Sequence, residues 1–195
     1  MDEGAGLMWE QAFTSLSAGF LAQPADLDRA AAELGFPLPA SYRSFCETCG
    51  IGLAAAQFRI AVPAPFEASD LATQAGVIAV SVGNAVAMLE GGGEPHRFDV
   101  EDGDPAVIER ACFFGAGEDG SFLFWDVAGA TDEYDIWLLA PDLETVRFGG
   151  ENLADFFDRV TRPSAAIVLG PGATPLPARF DGIAEATLAR GAGLA

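Results

Sequence analysis

Two apolar, aromatic-rich runs joined by a glycine-rich turn constrain the fold of this chain most strongly. The first run is Ala111–Phe114, and the second is Ser121–Val127. The segment between them contains Glu118, Asp119 and Gly120, and Asp and Gly tolerate the positive φ that tight connections often require. The pattern predicts an antiparallel β-hairpin.

Three helices are predicted before this hairpin. The first covers about residues 7–21, because large apolar residues recur there every three or four positions. The second begins at Pro24 and ends at Gly35, and the third ends at Gly50. The apolar stripe of the first helix consists of Trp9, Phe13, Leu16 and Phe20.

Strands are predicted on both sides of the hairpin. Gln57–Val62 and residues 77–82 precede it, and both are rich in β-branched residues. Tyr134–Leu139 and Thr145–Phe148 follow it. A closing helix then begins after Asn152, which is a suitable N-cap.

These elements predict an α+β fold with N-terminal helices, a mixed or mostly antiparallel sheet and a closing helix. The predicted domain covers residues 1–162. From residue 163 to residue 195 the composition shifts to Pro, Ala and Gly, which predicts an extended linker followed by a short helix over about residues 180–188 or a tail.

The charge of the chain limits its partners. It contains 29 acidic residues, ten arginines and no lysine, which gives a net charge of −19, and 17 of the acidic residues lie within residues 94–158. A surface this acidic repels phosphate backbones and anionic lipids, so we expect no binding to nucleic acid or membranes. A basic protein partner fits, and solubility alone is the alternative explanation.

Targeting signals and disulfides are not expected. The sequence has no uninterrupted apolar run of about 18 residues, and its first residues include Asp2 and Glu3 rather than the basic start of a secretory signal. Three cysteines fit a reducing compartment better than a disulfide framework. A cytoplasmic location is therefore expected by default.

The cysteines and the single histidine are the candidates for chemistry. Cys46 and Cys49 form a CxxC pair, and only Cys112 and His96 could complete a set of four metal ligands. The pair lies at the end of a predicted helix, where small apolar cysteine side chains pack well. We therefore expect no cofactor and no enzymatic activity. A metal-assisted or thiol enzyme is the less favoured alternative.

Acidic residues near the predicted strands are the candidates for partner binding. They would cluster if the loops of neighbouring strands lie at one end of the sheet, where interleaved aromatic residues could act as anchors. The alternative is that Trp125 and Trp137 face the core. A further acidic run, Asp99–Asp104, lacks the spacing of an EF-hand loop and predicts a solvated loop. The predicted partner-binding residues are Glu118, Asp119, Asp126, Asp132, Glu133 and Asp135, with Trp125, Tyr134 and Trp137 as the aromatic residues.

Several segments match a known order of short motifs. After Trp9 and the sequence Glu33-Leu34-Gly35, residues 38–45 are similar to an "LP.dyr.F" helix. The hairpin is similar to "fG.ddgG…fd". The strand after it is similar to the closing strand of the same pattern, and the following helix is similar to "sF.dfL". The residues that carry these matches are Leu38, Pro39, Tyr42, Phe45, Phe114, Gly115, Glu118, Asp119, Gly120, Phe124, Asp126, Tyr134, Ile136, Leu138, Leu153, Phe156 and Phe157.

Together these motifs resemble the SUKH superfamily, which includes fungal cell-wall-assembly regulators and bacterial toxin-immunity proteins. The resemblance covers about residues 9–160. Two positions depart from the pattern, since Cys49 stands where the family often has Asn and Ser121 replaces a small Gly.

The resemblance implies a noncatalytic protein-binding domain. We expect an immunity protein that neutralises a cognate bacterial toxin, with a basic nuclease as the candidate toxin because acidic residues would mimic its phosphate substrate. A regulatory or scaffold protein with a constitutive partner is the alternative. The sequence leaves the oligomeric state and the identity of the partner open.

Overall fold

A computed structural model describes residues 9–65, 70–91, 93, 95–129 and 131–191. Helices in this part of the chain are α1 (Pro24–Leu34), α2 (Ala40–Thr48), α3 (Leu71–Glu90), α4 (Leu153–Val160), α5 (Ala165–Leu169) and α6 (Glu185–Gly191), with a 3₁₀ helix at Pro105–Arg110. Strands are β1 (Ser15–Ser17), β2 (Gly52–Ala54), β3 (Phe58–Ile60), β4 (Asp99–Val100), β5 (Ala111–Gly117), β6 (Phe122–Asp126), β7 (Ile136–Leu139), β8 (Thr145–Gly150) and β9 (Arg179–Gly182).

The strands form one mixed sheet in the order β1-β9-β2-β3-β5-β6-β7-β8-β4. The outermost pairs, β1 with β9 and β4 with β8, are parallel, and the pairs between them are antiparallel. Both edge strands are only two or three residues long, which limits the unpaired backbone that a sheet edge exposes. The architecture confirms the predicted α+β fold.

One face of the sheet carries the larger core. Aromatic rings from distant parts of the chain meet there, with Phe45 5.2 Å from Trp9 and 5.5 Å from Phe180 between ring centroids. Phe157 of α4 lies 5.1 Å from Phe13. These rings are fully buried, and together they hold α2, α4 and the N-terminal segment against the sheet.

The opposite face carries a second core beneath α3. Ile78 and Val82 of this helix belong to one buried cluster with Phe113, Phe124 and Trp137 of the sheet. The alternation of side chains along β5 and β6 explains how one hairpin serves both cores, because neighbouring residues point to opposite faces.

The hairpin forms as predicted. Gly117 N–H donates to the Ser121 carbonyl at 2.8 Å, and Gly120 has φ +92°, which favours glycine. The Asp119 carboxylate accepts hydrogen bonds from the N–H and the hydroxyl of Ser121, at 3.0 and 2.7 Å. Ser121 is buried, and this hydrogen bond satisfies a hydroxyl that would be costly to leave unpaired. The related motif has glycine at this position.

The predicted N-terminal helix over residues 7–21 is wrong beyond its first turn. Residues 9–12 are helical, and residues 15–17 form β1 instead; residues 7 and 8 lie outside the described part of the chain. β1 pairs with β9, in the register Leu16 with Phe180. This partner is about 160 residues away, so the local apolar spacing could not indicate it.

The strand predicted over residues 77–82 is also wrong, because these residues lie inside α3. The Asp70 carboxylate caps the helix by accepting from Thr73 N–H at 3.3 Å. By length and composition alone α3 could cross a bilayer, with a mean hydropathy of 1.5 over 18 residues. In this fold its buried residues are Leu71, Ala75, Ile78 and Val82, and 22% of the 18-residue window is buried.

Residues after 162 do not form the predicted extended linker. α5 packs its Ala165 and Val168 into the protein, and β9 lies between β1 and β2 in the sheet. The last helix begins at Glu185 rather than near Phe180. Proline and glycine break this segment into short pieces, and pairing with the sheet orders them.

We predict that Phe180→Ala lowers the free energy of unfolding by about 3–5 kcal/mol, because it leaves a cavity among buried aromatic rings. Urea denaturation followed by circular dichroism measures the change. Ile167→Ala, in the same part of the chain but 70% exposed, is the control and should change stability by less than about 0.5 kcal/mol. Equal stability of the Phe180→Ala variant and the wild type would contradict the packing of this segment.

Candidate protein-binding surface

The six acidic residues predicted to bind a partner lie at two opposite ends of the sheet. Glu118 and Asp119 are at the tip of the hairpin, whereas Asp126 ends β6. Five residues of β6 separate the two ends, or about 13 Å at the rise of an extended strand. The expectation of one cluster is therefore wrong, because a hairpin places its turn and its open end apart.

The hairpin tip carries little unbalanced charge. Glu118 Oε1 accepts from Arg59 Nε at 2.7 Å, and both side chains are about half exposed. Asp119 is occupied by its hydrogen bonds to Ser121. These two residues stabilise the turn.

Asp126 and Asp135 come together at the other end of the sheet. The Asp126 N–H donates to the Asp135 carbonyl at 3.0 Å. Arg110 donates to both carboxylate oxygens of Asp126, at 2.5 and 2.8 Å, and also contacts Asp104 at 3.3 Å. One guanidinium thus serves two carboxylates, which leaves this end of the sheet negative.

Asp135 makes no ion pair with the described residues. Partial burial raises the pKa of its carboxyl, and the negative charges of Asp126 and Glu151 raise this pKa further. The ionised carboxylate is therefore held in an unfavourable field. A cation brought by a partner would relieve it.

Glu133 is part of the fold rather than a free surface charge. Its two carboxylate oxygens accept from the N–H and the hydroxyl of Ser41, both at 2.7 Å. Ser41 Oγ in turn accepts from Leu153 N–H at 3.2 Å. This buried serine joins the N-termini of α2 and α4 to the segment that precedes β7. Asp132, the residue before Glu133, is exposed.

A cavity of about 380 Å³ lies beside Asp135. Trp137, Phe148 and Ile167 supply apolar walls, and Asp102 and Asp135 supply carboxylates. Another cavity, of about 210 Å³ between α3 and the sheet, has no acidic lining residue. Of these two cavities, only the one beside Asp135 has carboxylates in its lining.

The aromatic residues proposed as anchors face the two cores. Trp125 is 1% exposed and stacks on Phe114 with 4.1 Å between ring centroids, and Tyr134 packs edge-on against Phe36. The alternative of inward-facing tryptophans is correct for both tryptophans. Trp137 alone combines this burial with a place on the wall of the cavity.

The cysteines and the histidine do not assemble a reactive group. Cys46 and Cys49 are buried, and burial raises the pKa of both thiols well above the usual value. Burial also raises the pKa of Cys112 to about 11, whereas a nucleophilic thiol needs a lowered pKa. His96 Nε2 lies 2.9 Å from the Leu143 carbonyl. In the described ranges no three His, Cys, Asp or Glu residues form a group that could hold a metal ion.

Sequence reasoning missed seven of the nine residues that line the cavity, and four of them show why. Glu101 and Asp102 belong to the acidic run that we expected to be a solvated loop, while Arg147 and Phe148 lie on β8. Glu101 accepts from Arg147 at 2.9 and 3.0 Å, which fixes the loop against the strand. The acidic run was a usable signal, but its proximity to β8 depends on the parallel pairing of β4.

The fold and this surface define a class: an α+β domain with helices packed on a mixed sheet and excess acidic charge at one end of that sheet. The model of the SMI1 / KNR4 family (SUKH-1) matches residues 21–159, which is well over half of the chain. The protein belongs to this family, whose members are generally noncatalytic immunity or regulatory proteins that typically bind partner proteins. No match to a curated protein was found.

We predict that Glu133→Ala lowers the free energy of unfolding by about 1–3 kcal/mol, because it removes charge-assisted hydrogen bonds at the start of α2. Asp132→Ala is the matched control, and its exposed side chain should contribute little. Chemical denaturation of both variants checks the difference. If the two variants are equally stable, Glu133 does not hold the helix.

We predict that Asp135→Asn raises the free energy of unfolding at pH 7. The pKa of Asp135 is higher in the folded than in the unfolded state, so its ionised form destabilises the fold above that pKa and the penalty disappears as pH falls. The advantage of the variant should shrink as the pH approaches about 4. Urea denaturation at several pH values measures it, and a pH-independent difference would contradict this account.

Proposed function

We propose that the protein is an immunity protein that neutralises a cognate bacterial toxin by covering a basic surface of that toxin. The observation that carries the proposal is the excess of carboxylates at the end of the sheet near Asp135. Membership of the SMI1 / KNR4 family supports a role in protein binding. A basic nuclease is the candidate toxin, because its active site must itself attract an anionic substrate.

The charge balance at this end of the sheet supports the proposal. Only some of the carboxylates form ion pairs with arginine. Arg110 pairs with Asp104 and Asp126, and Arg147 pairs with Glu101. We define the acidic end by the acidic residues at this end other than Glu133, whose carboxylate holds Ser41: Glu101, Asp102, Asp104, Asp126, Asp132, Asp135 and Glu151. Such a concentrated field accelerates encounter with a basic partner and weakens with salt.

The proposed mechanism requires no reaction and no cofactor. Carboxylates placed over a nuclease active site would occupy the positions of substrate phosphates and block entry of the nucleic acid. The same charge opposes direct binding of the immunity protein to nucleic acid or anionic lipids. Free cysteines suit the reducing cytoplasm, where such a toxin would act on its producer.

A regulatory or scaffold protein with a constitutive partner is the second candidate function, and α3 is the observation that favours it. Val80 and Met88 of this helix are 64% and 82% exposed, and Val77 and Leu89 are also exposed. The helix carries no charged residue between its cap and Glu90. A partner bound there would be held by apolar contacts and would resist salt.

We predict that the product of the adjacent reading frame contains a basic toxin domain that the protein retains at low salt and releases at high salt. A pull-down followed by mass spectrometry tests this directly. Neutralising the acidic end with Asp132→Asn, Asp135→Asn and Glu151→Gln should weaken retention, because these exposed charges attract the partner.

The matched control changes the second surface. Val80→Ser combined with Met88→Ser removes apolar area from α3 and should leave toxin binding unchanged. Binding that resists salt and is lost in the α3 variant would favour the scaffold function. Retention of no partner at either salt concentration would contradict the immunity function.

A further inference from the structure

The cavity beside Asp135 lies at an unpaired edge of the sheet. β4 pairs with β8 only at Thr145 and Val146, and one more hydrogen bond runs from Glu101 N–H to the Val146 carbonyl at 2.9 Å. No described strand continues along Arg147–Gly150 on that side. Because backbone groups alternate along a strand, the peptide groups of Phe148 point to the same outer edge as those of Val146.

The walls of the cavity include two aromatic rings that contact each other. The rings of Trp137 and Phe148 meet edge to face with 5.5 Å between centroids. Trp137 is only 7% exposed, and its indole N–H has no hydrogen-bond partner among the described residues. Gly103 lies against the Trp137 ring, where a Cβ would overlap its edge. The loop can approach the ring closely because residue 103 is glycine.

The two arginines that line the cavity already form ion pairs, whereas two of its carboxylates do not. Arg147 pairs with Glu101, and Arg159 pairs with Asp155 at 2.9 Å and lies over the Phe148 ring. Asp102 and Asp135 have no ion pair among the residues described. The cavity therefore combines apolar walls with two carboxylates that no ion pair neutralises.

We propose that this cavity binds an arginine side chain from an extended segment of the toxin, which lies along the free edge of β8. The aromatic walls would contact the stem and the guanidinium plane, and the carboxylates of Asp102 and Asp135 would accept its hydrogen bonds. Arginine fits better than lysine, because a guanidinium is weakly hydrated, stacks on rings and donates in several directions.

This inference rests on the proposed function, since it assigns the basic partner one anchoring residue. It adds a specific site to an otherwise diffuse electrostatic attraction. The free strand edge supplies main-chain hydrogen bonds for an extended segment, and the cavity supplies selectivity for one side chain. A volume of about 380 Å³ is near the lower end of small-molecule sites, which suits a single side chain.

The test uses the full chain and a capped pentapeptide with one arginine at its centre, flanked by threonine and valine. Binding is followed by NMR through the indole N–H resonance of Trp137 and the amide resonances of residues 147–150. The resonance is assigned with Trp137→Phe. We predict saturable shifts at these positions, and affinity about tenfold or more lower when glutamine replaces the arginine.

Two conservative variants test the carboxylates. Asp135→Asn and Asp102→Asn should each weaken peptide binding about tenfold. Asn tolerates the positive φ of 56° at position 102, so the loop can keep its shape. Asp132→Asn removes one exposed charge outside the cavity and should leave the peptide affinity within about twofold, as expected for screened surface charge.

The outcomes separate this inference from the proposed function. Shifts spread over the acidic end that respond equally to all three variants would overturn the arginine site, as would absence of shifts near β8. A lysine peptide that binds as tightly would overturn the preference for arginine. If Asp102→Asn and Asp135→Asn retain the toxin fully and salt still releases it, the cavity site fails while the immunity function stands. If the unchanged protein retains no toxin at either salt concentration, the immunity function itself is contradicted.

Discussion

The parallel pairing of β1 with β9 is the constraint on which the rest of the structure depends. It joins the beginning and the end of the described chain and places Phe180 between Phe13 and Phe45, with centroid distances of 5.8 and 5.5 Å. Burial of these rings provides much of the apolar stabilisation of the larger core. Close packing accompanies it, since a Cβ at Gly19 would overlap the backbone of Ile51.

This core determines where charge can lie. Aromatic residues fill both faces of the central strands, so the acidic residues of these strands and their loops are placed at the strand ends. Some of these carboxylates are used for the fold, as Glu133 is in holding Ser41. Others, such as Asp135, make no ion pair with the described residues and lie beside a cavity. The surface available to a partner is therefore a consequence of how the core is filled.

Local patterns predicted the elements whose contacts are also local. The prediction of the hairpin is correct because its turn residues and flanking aromatic runs lie within 17 positions. The prediction of α4 is correct because Asn152 caps the helix by accepting from Asp155 N–H. β1 and β9 were missed because each depends on a partner far away in the chain. Of the predicted site residues, Asp126 and Asp135 do lie close together. The cavity between β8 and residues 101–103 depends on the short pairing of β4 with β8, which no local sequence signal indicates.

Hydrogen exchange of the purified complex tests the central claim, that the toxin binds at the acidic end of the sheet, most directly. Amide exchange is compared for the protein alone and with its toxin at low salt, with peptides resolved along the chain. The account predicts slower exchange at residues 101–104 and 147–150 on binding. Protection along the exposed face of α3, with unchanged exchange at these two segments, would contradict it.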